Sequence, residues 1–349
     1  MTHRNQSLDV LRGMAVLLVV LVHCAIAASG SVPGLTAFAR EHGERGVQLF
    51  FIVSGYTMML TFGDRLDPLA VRSFYIRRAF RIVPLFWVAI LFYLLITQGE
   101  GFRLWAPDGV TTGDVLLTFL FLHWSSVTAF NSVVPGGWSI AVEMQFYLLF
   151  PLLILLFRRP NGPILVYAGI ALIGVIGKFA AELYLLPRLA ASLPQDQAHL
   201  AGGFFYCWLP QQLICFGFGI LLYDFMELKN KPYFGMVLLA GAALSYSAWG
   251  AEIVLLFALA CGTMAVRVRL ALVEVLGRHS YAIYLVHFAV VSAAASLWPM
   301  GLVPLFVLVT GVSLGLSTFV IEPLIERPFN RFGHALALAR RPGTVATVA

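Results

Sequence analysis

Apolar runs long enough to cross a bilayer recur along almost the whole of this chain, and no other feature constrains its fold as strongly. A spanning helix needs about 20 mostly apolar residues. Runs of this kind lie at 8–28, 46–62, 80–97, 138–157, 163–180, 203–224, 233–248, 250–266, 279–298 and 302–322. Hydrophobic residues make up 60% of the sequence and charged ones 11%. A soluble domain carries about 25% charge, so lipid must solvate most of this surface. The runs are continuous rather than alternating, which excludes a β-barrel. Without water, backbone groups must bond within their own segment, and that requires helices. The expected fold class is all-α: a polytopic transmembrane helix bundle of about ten spans. The stretch 113–123 is apolar but too short to cross, and is expected as a re-entrant or interfacial piece.

Lys and Arg set the orientation. With the N-terminus inside, ten crossings leave 1–12, 63–81, 158–162, 225–232, 267–278 and 323–349 in the cytoplasm, and these hold 18 of the 23 Lys and Arg residues. That bias follows the positive-inside rule, and the inverted topology violates it. A multi-pass protein of the cell (inner) membrane is expected, with both termini cytoplasmic. One membrane domain is expected over 1–332, then a disordered cytoplasmic tail over 333–349. The net charge of +6 reflects loop charge and gives no sign of nucleic-acid binding. Arg4, the first apolar run and Ala25-Ile26-Ala27 imitate a secretory leader, but Asp9 and Arg12 inside the run argue against cleavage. Four cysteines lie in or beside apolar runs with no CxxC spacing, so no metal site is expected.

Ionisable residues inside such spans are costly, and function is the default hypothesis for them. In "LDVLRGMAVLLVVLVHCAIA" (8–27), Arg12 and His23 are eleven residues apart. Their angular offset is about 20° and their axial separation about 16 Å, so they share a helix face. Asp9 sits within pairing reach of Arg12. Arg12 is either a snorkelling interfacial arginine or a ligand-binding one, and His23 either a carbonyl-bonded core histidine or a reactive base. In "GVQLFFIVSGYTMML" (46–60), Ser54-Gly55 serves close helix approach or a backbone region open to substrate. In "FYIRRAFRIVP" (74–84), Arg78 and Arg81 share a face at a helix entrance. Topological charge explains part of this, and two guanidiniums there also suit a phosphate. "GGWSIAVEMQFYLLFPLL" (136–153) buries Glu143 in an apolar span at a depth comparable to His23, which makes the two expected partners. Trp138 in the same segment also suits simple interfacial packing. In "GRHSYAIYLVHFAVV" (277–291), Ser280, Tyr284 and His287 recur at helical spacing, as interhelical bonding groups or site residues. "IEPLIERPFNRF" (321–332) is expected to stop the last span.

Taken together, these segments resemble the acyltransferase-3 family of integral membrane proteins. The resemblance rests on Arg12…His23, Phe50-Phe51-Ile52-Val53-Ser54-Gly55, Arg78…Arg81, Trp138-Ser139…Glu143 and Tyr281…Tyr284-Leu285…His287, with "LDVLRG" and "ERPF" at the two ends. It covers residues 7 to 332. It implies transfer of an acyl group, most often acetyl, from cytoplasmic acyl-CoA to a hydroxyl of an extracytoplasmic sugar, polysaccharide or lipid-linked glycan. Exopolysaccharide, O-antigen and peptidoglycan are typical acceptors. Acetyl-CoA would be a donor substrate, with no bound cofactor. On this view Arg12, Arg78 and Arg81 bind the CoA phosphates. His23, oriented by Glu143, is the general base or a covalent acyl relay. Asp9, Ser54, Trp138, Ser280, Tyr284 and His287 position substrate. The rivals are a proton-coupled transporter, with Arg12, His23, Glu143 and His287 as its relay, and a non-catalytic partner in polysaccharide export.

Overall fold

The computed structural model describes residues 5–62, 67–228, 232–246 and 248–339. These are helical almost throughout, and among them the sole extended pairing is a bridge between Gly30 and Gly301. In chain order the first helices are α1 (Gln6–Ala27), α2 (Pro33–His42), α3 (Arg45–Phe62), α4 (Pro68–Ile96), α5 (Thr112–Phe119), α6 (Gly137–Phe157) and α7 (Gly162–Ala180). They are followed by α8 (Leu186–Ser192), α9 (His199–Tyr206), α10 (Leu209–Met226), α11 (Tyr233–Leu244) and α12 (Ala248–Val266). The remainder are α13 (Ala271–Arg278), α14 (Ser280–Leu297), α15 (Leu302–Leu316) and α16 (Arg327–Leu338).

Among the described residues eight stretches, rather than ten, are long and apolar enough to cross a membrane. The difference lies in α3 and α11. The 18-residue α3 begins with polar Arg45 and Gln48, and the 12-residue α11 rises about 18 Å, short of a hydrocarbon core of about 30 Å. The stretch expected to be re-entrant forms α5, a helix of eight residues capped reciprocally by Thr111 and Asp114.

The end of the chain departs from expectation. The prolines and charges of 321–332 do not stop the last span, because the helix continues in π form through Ser317–Glu326 with Pro323 inside it. A π turn loosens the backbone ladder at the point where proline cannot donate. The boundary expected at 332 falls inside α16, which turns back onto α4. Ser73 Oγ donates to the Ala337 carbonyl at 3.1 Å, and Gly333 lies against the Phe80 ring. Residues 340–349 of the expected tail lie outside the described residues.

The centre of the bundle is α1, α3 and α10, with α14 and α13 closing on α1. Close approach is set by small residues. A Cβ on Gly55 would lie 2.4 Å from the Phe216 carbonyl, and one on Gly277 would lie 1.8 Å from that of Asp9. Helix association in lipid relies on this kind of contact because lipid tails are as apolar as the side chains. The α3–α10 contact at Gly55 leaves the adjacent Ser54 facing a cavity.

Candidate functional site

Four cavities adjoin one another through shared lining residues, running from an arginine-rich end to a histidine-lined end. Arg81 lines the first three. One is a basin bordered by Arg278, Arg327 and Arg331, one is bordered by Arg77, Arg78 and His334, and one is a central chamber holding Arg12, Ser54 and Glu143. The central chamber shares Val47 and Tyr284 with a fourth cavity, which contains His23 and Trp138.

In the central chamber Arg12 is held by a carboxylate and a hydroxyl, and Arg78 by a hydroxyl. Arg12 donates to Asp9 Oδ1 at 3.3 Å and to Thr57 Oγ1 at 3.0 Å. Asp9 is almost fully buried and lines none of these cavities, so it acts through Arg12. Arg78 donates to Thr61 Oγ1 at 3.2 Å, and its guanidinium lies 5.3 Å from the centre of the Tyr147 ring. Arg81, on the same face one turn on, is exposed and has no hydrogen bond or ion pair among the described residues. Glu143 accepts hydrogen bonds from both Ser54 Oγ and Tyr147 OH. The chamber thus places three guanidiniums around one carboxylate, an excess of positive charge that suits an anionic ligand.

The histidine end is built on α1 and α14. His23 Nδ1 lies 2.7 Å from the Val19 carbonyl, and His287 Nδ1 lies 2.7 Å from the Tyr284 carbonyl. Carbonyl oxygens only accept, so both Nδ1 atoms carry protons. His287 Nε2 is then a lone-pair acceptor, and it faces His23 Nδ1 at 3.2 Å. His23 Nε2 is left as an unprotonated base with no hydrogen-bond partner among the described residues, in a side chain that lines the cavity. Backbone carbonyls thereby fix the tautomer, a task often given to a carboxylate. Phe288 packs on His23 with ring centres 4.3 Å apart and holds its plane.

Between the two ends, α6 is pinned at its start. Gly136 has a φ of 75°, a conformation that favours glycine. Its N–H donates to Asn131 Oδ1 at 2.8 Å. Its carbonyl lies 3.0 Å from Ser139 Oγ and 2.9 Å from Tyr284 OH. Tyr93 OH donates to the Leu285 carbonyl and Tyr281 OH to that of Ile82, tying α14 to α4.

The residues singled out in the sequence therefore gather into one system but not in the expected pairs. Glu143 does not bond His23. It sits in the central chamber with Ser54 and Tyr147, and His23 meets His287 instead. Ser280 and Tyr284 line the central chamber, Trp138 the histidine cavity, and His287 is fully buried behind His23. Sequence reasoning missed Arg278, Arg327, Arg331 and His334 in the basin. The i, i+4 repeat of Arg327 and Arg331 was the available signal, concealed by reading that segment as a helix stop. It also missed Asn131, Glu44, Trp105 and Tyr206, which reach the histidine cavity from separate parts of the chain.

A helical membrane protein with a cationic chamber next to a tautomer-fixed histidine is suited to moving a group from an anionic carrier to a hydroxyl. Residues 5–322 match the acyltransferase domain family, and the chain belongs to it. Acyltransferase MdmB of Streptomyces mycarofaciens is 28% identical over 325 residues, spanning 82% of this chain and 79% of MdmB. Peptidoglycan O-acetyltransferase OatA of Listeria monocytogenes is 27% identical over 189 residues, spanning 49% of this chain and 28% of OatA. The match thus spans little more than a quarter of OatA's length. No solved structure matches.

Proposed function

We propose that this chain is a membrane O-acyltransferase that moves an acyl group, acetyl by family precedent, from cytoplasmic acyl-CoA to a hydroxyl of an extracytoplasmic sugar or glycan. The observation that carries the reading is the adjacency of the two chambers: excess guanidinium on one side, an unprotonated His23 Nε2 on the other, and Val47 and Tyr284 common to both. Positive loop charge supports cytoplasmic termini and a cytoplasmic arginine end.

Arg81, Arg78 and the basin arginines Arg278, Arg327 and Arg331 would hold the phosphates of the donor. Arg81 is the strongest candidate because it is exposed, lines all three cavities at this end, and makes no hydrogen bond or ion pair among the described residues. At the other end His23 Nε2 takes the proton from the acceptor hydroxyl as its oxygen attacks the thioester carbonyl. The carbon–sulfur bond breaks, and the leaving thiolate recovers the proton from the imidazolium. His287 Nε2 accepts from His23 Nδ1–H and steadies the charged ring in passing. Tyr284 OH donates to the Gly136 carbonyl and accepts from Ser139 Oγ, which fixes the wall the two chambers share.

The test is acyl transfer in proteoliposomes loaded with a glycan acceptor and supplied externally with radiolabelled acetyl-CoA. Label on the acceptor supports the reading. Solute flux with no acetyl-CoA consumption would establish the transporter instead. Label retained on the protein itself, and lost on replacing His23, would identify the covalent acyl-histidine route.

A further inference from the structure

The cavity over His23 has a chemistry of its own beyond the base. Two indoles, Trp105 and Trp138, form part of its wall. Asn131 is 7% exposed, and its Oδ1 is fixed by the Gly136 N–H. That bond settles the amide orientation and leaves its NH2 group with no acceptor among the described residues. Tyr206 OH accepts from Arg45 at 3.2 Å and from Gln48 at 3.1 Å, so its own proton is available to a ligand. Against these two donors stand two acceptors, the His23 Nε2 lone pair and the Glu44 carboxylate. Glu44 has no hydrogen bond or ion pair among the described residues. Arg45, the residue after it, is committed to Glu252 and Tyr206.

Both donors face the cavity, where a ligand that takes the place of water must supply acceptors for them. Apolar faces beside matched donors and acceptors are what a pyranose ring presents in return: C–H faces for the indoles and hydroxyls that both give and accept. The charge is one-sided. Among the described lining residues Glu44 alone carries a formal charge, and no Lys or Arg lines the cavity. A carboxylate or phosphate on the sugar would meet Glu44 with no Lys or Arg in the lining to pair with it, the nearby Arg45 being committed to Glu252 and Tyr206.

We infer that this cavity is the acceptor subsite for an uncharged pyranose, with Asn131 and Glu44 positioning its hydroxyls, Trp105 and Trp138 stacking on its ring, and Glu44 rejecting sugars that carry a carboxylate or phosphate. The inference deepens the acyl-transfer reading and rests on it for the identity of this end as the acceptor side. Space for the ring is kept at Gly202, where an added Cβ meets no atom within 4 Å.

The experiment is saturation-transfer NMR on the full chain in detergent micelles. Its probes are the methyl glycosides of glucose, galactose, mannose and N-acetylglucosamine, alongside methyl glucuronide. The unfolding midpoint of every variant is the control for folding. The wild type should bind at least one uncharged glycoside and exclude the glucuronide. Glu44→Gln should admit the glucuronide with at least about a tenfold gain, the equivalent of one pairwise charge term of about 1.4 kcal/mol. Trp105→Ala should weaken the uncharged glycoside about tenfold, and Gly202→Phe should block it, with unfolding midpoints near that of the wild type. Binding of no uncharged glycoside, equal binding of the glucuronide by the wild type, or intact binding in Gly202→Phe would each overturn the inference. Acetyl-CoA consumption, followed separately, reports on the acyl-transfer reading, so a failure of one is not mistaken for failure of the other.

Discussion

At the arginine end, three guanidiniums from Arg12, Arg78 and Arg81 share one chamber with a single carboxylate. At the other end, two imidazoles contact each other and no carboxylate bonds to either. The first arrangement leaves positive charge in excess and awaits an anion. The second fixes the tautomer of each ring by pairing its Nδ1–H with a backbone carbonyl. On the proposed function, the two ends answer different demands. Holding a polyanionic carrier needs permanent charge that does not titrate, and arginine supplies it. Activating a hydroxyl needs a neutral base with a free lone pair, and a histidine of fixed tautomer supplies that.

Substitutions that act on one end and not the other sharpen this contrast, and the largest effect belongs to the base. His23→Ala should reduce the rate of acyl transfer by about 10³-fold, within the usual range for loss of a general base. Its affinity for acyl-CoA, measured by equilibrium binding, should stay at the wild-type value. Arg81→Ala should do the opposite, raising the KM for acyl-CoA by about tenfold or more while sparing kcat, the pattern of lost uniform binding. Steady-state kinetics over a donor titration separates the two.

Glu143 tests the boundary between the ends. The sequence suggested it as the orienter of His23, in which case Glu143→Gln would depress kcat much as loss of His23 does. Its bonds to Ser54 and Tyr147 place it instead with the arginines. Glu143→Gln should therefore change the donor KM by about fivefold and leave the pH dependence of kcat unaltered, an effect of the size expected for one ordinary hydrogen bond. A shifted pH profile would move Glu143 back to the histidine end. The smallest effect is expected at the shared wall. Tyr284→Phe removes one hydroxyl from the Gly136–Ser139 network, and kcat should fall about threefold with donor KM unchanged.

Much of this was legible in the chain. Apolar length fixed the all-α membrane bundle, because a bilayer admits few solutions for so continuous a pattern. Arg12 and His23 were legible as one face of one helix, since their spacing follows directly from helical geometry. Pairings between helices were not. Glu143 and His23 share comparable depths in sequence, but lateral placement depends on how α3, α6 and α14 pack around α1, and no periodicity encodes that. The last span was misjudged for a local reason. Proline signals a helix stop in water, whereas the π turn at Ser317–Glu326 carries the backbone past Pro323. The residues around the histidine cavity were unreadable for a third reason: Glu44, Trp105, Asn131 and Tyr206 come from four separate segments, and none stands out within its own.

The central claim is that carrier binding and hydroxyl activation are separate tasks of adjacent chambers. It is tested most directly by single-turnover transfer in proteoliposomes with His23→Ala saturated in acetyl-CoA. The account predicts donor bound at the wild-type Kd and no labelled acceptor. Labelled acceptor at the wild-type rate, or loss of donor binding together with transfer, would contradict it.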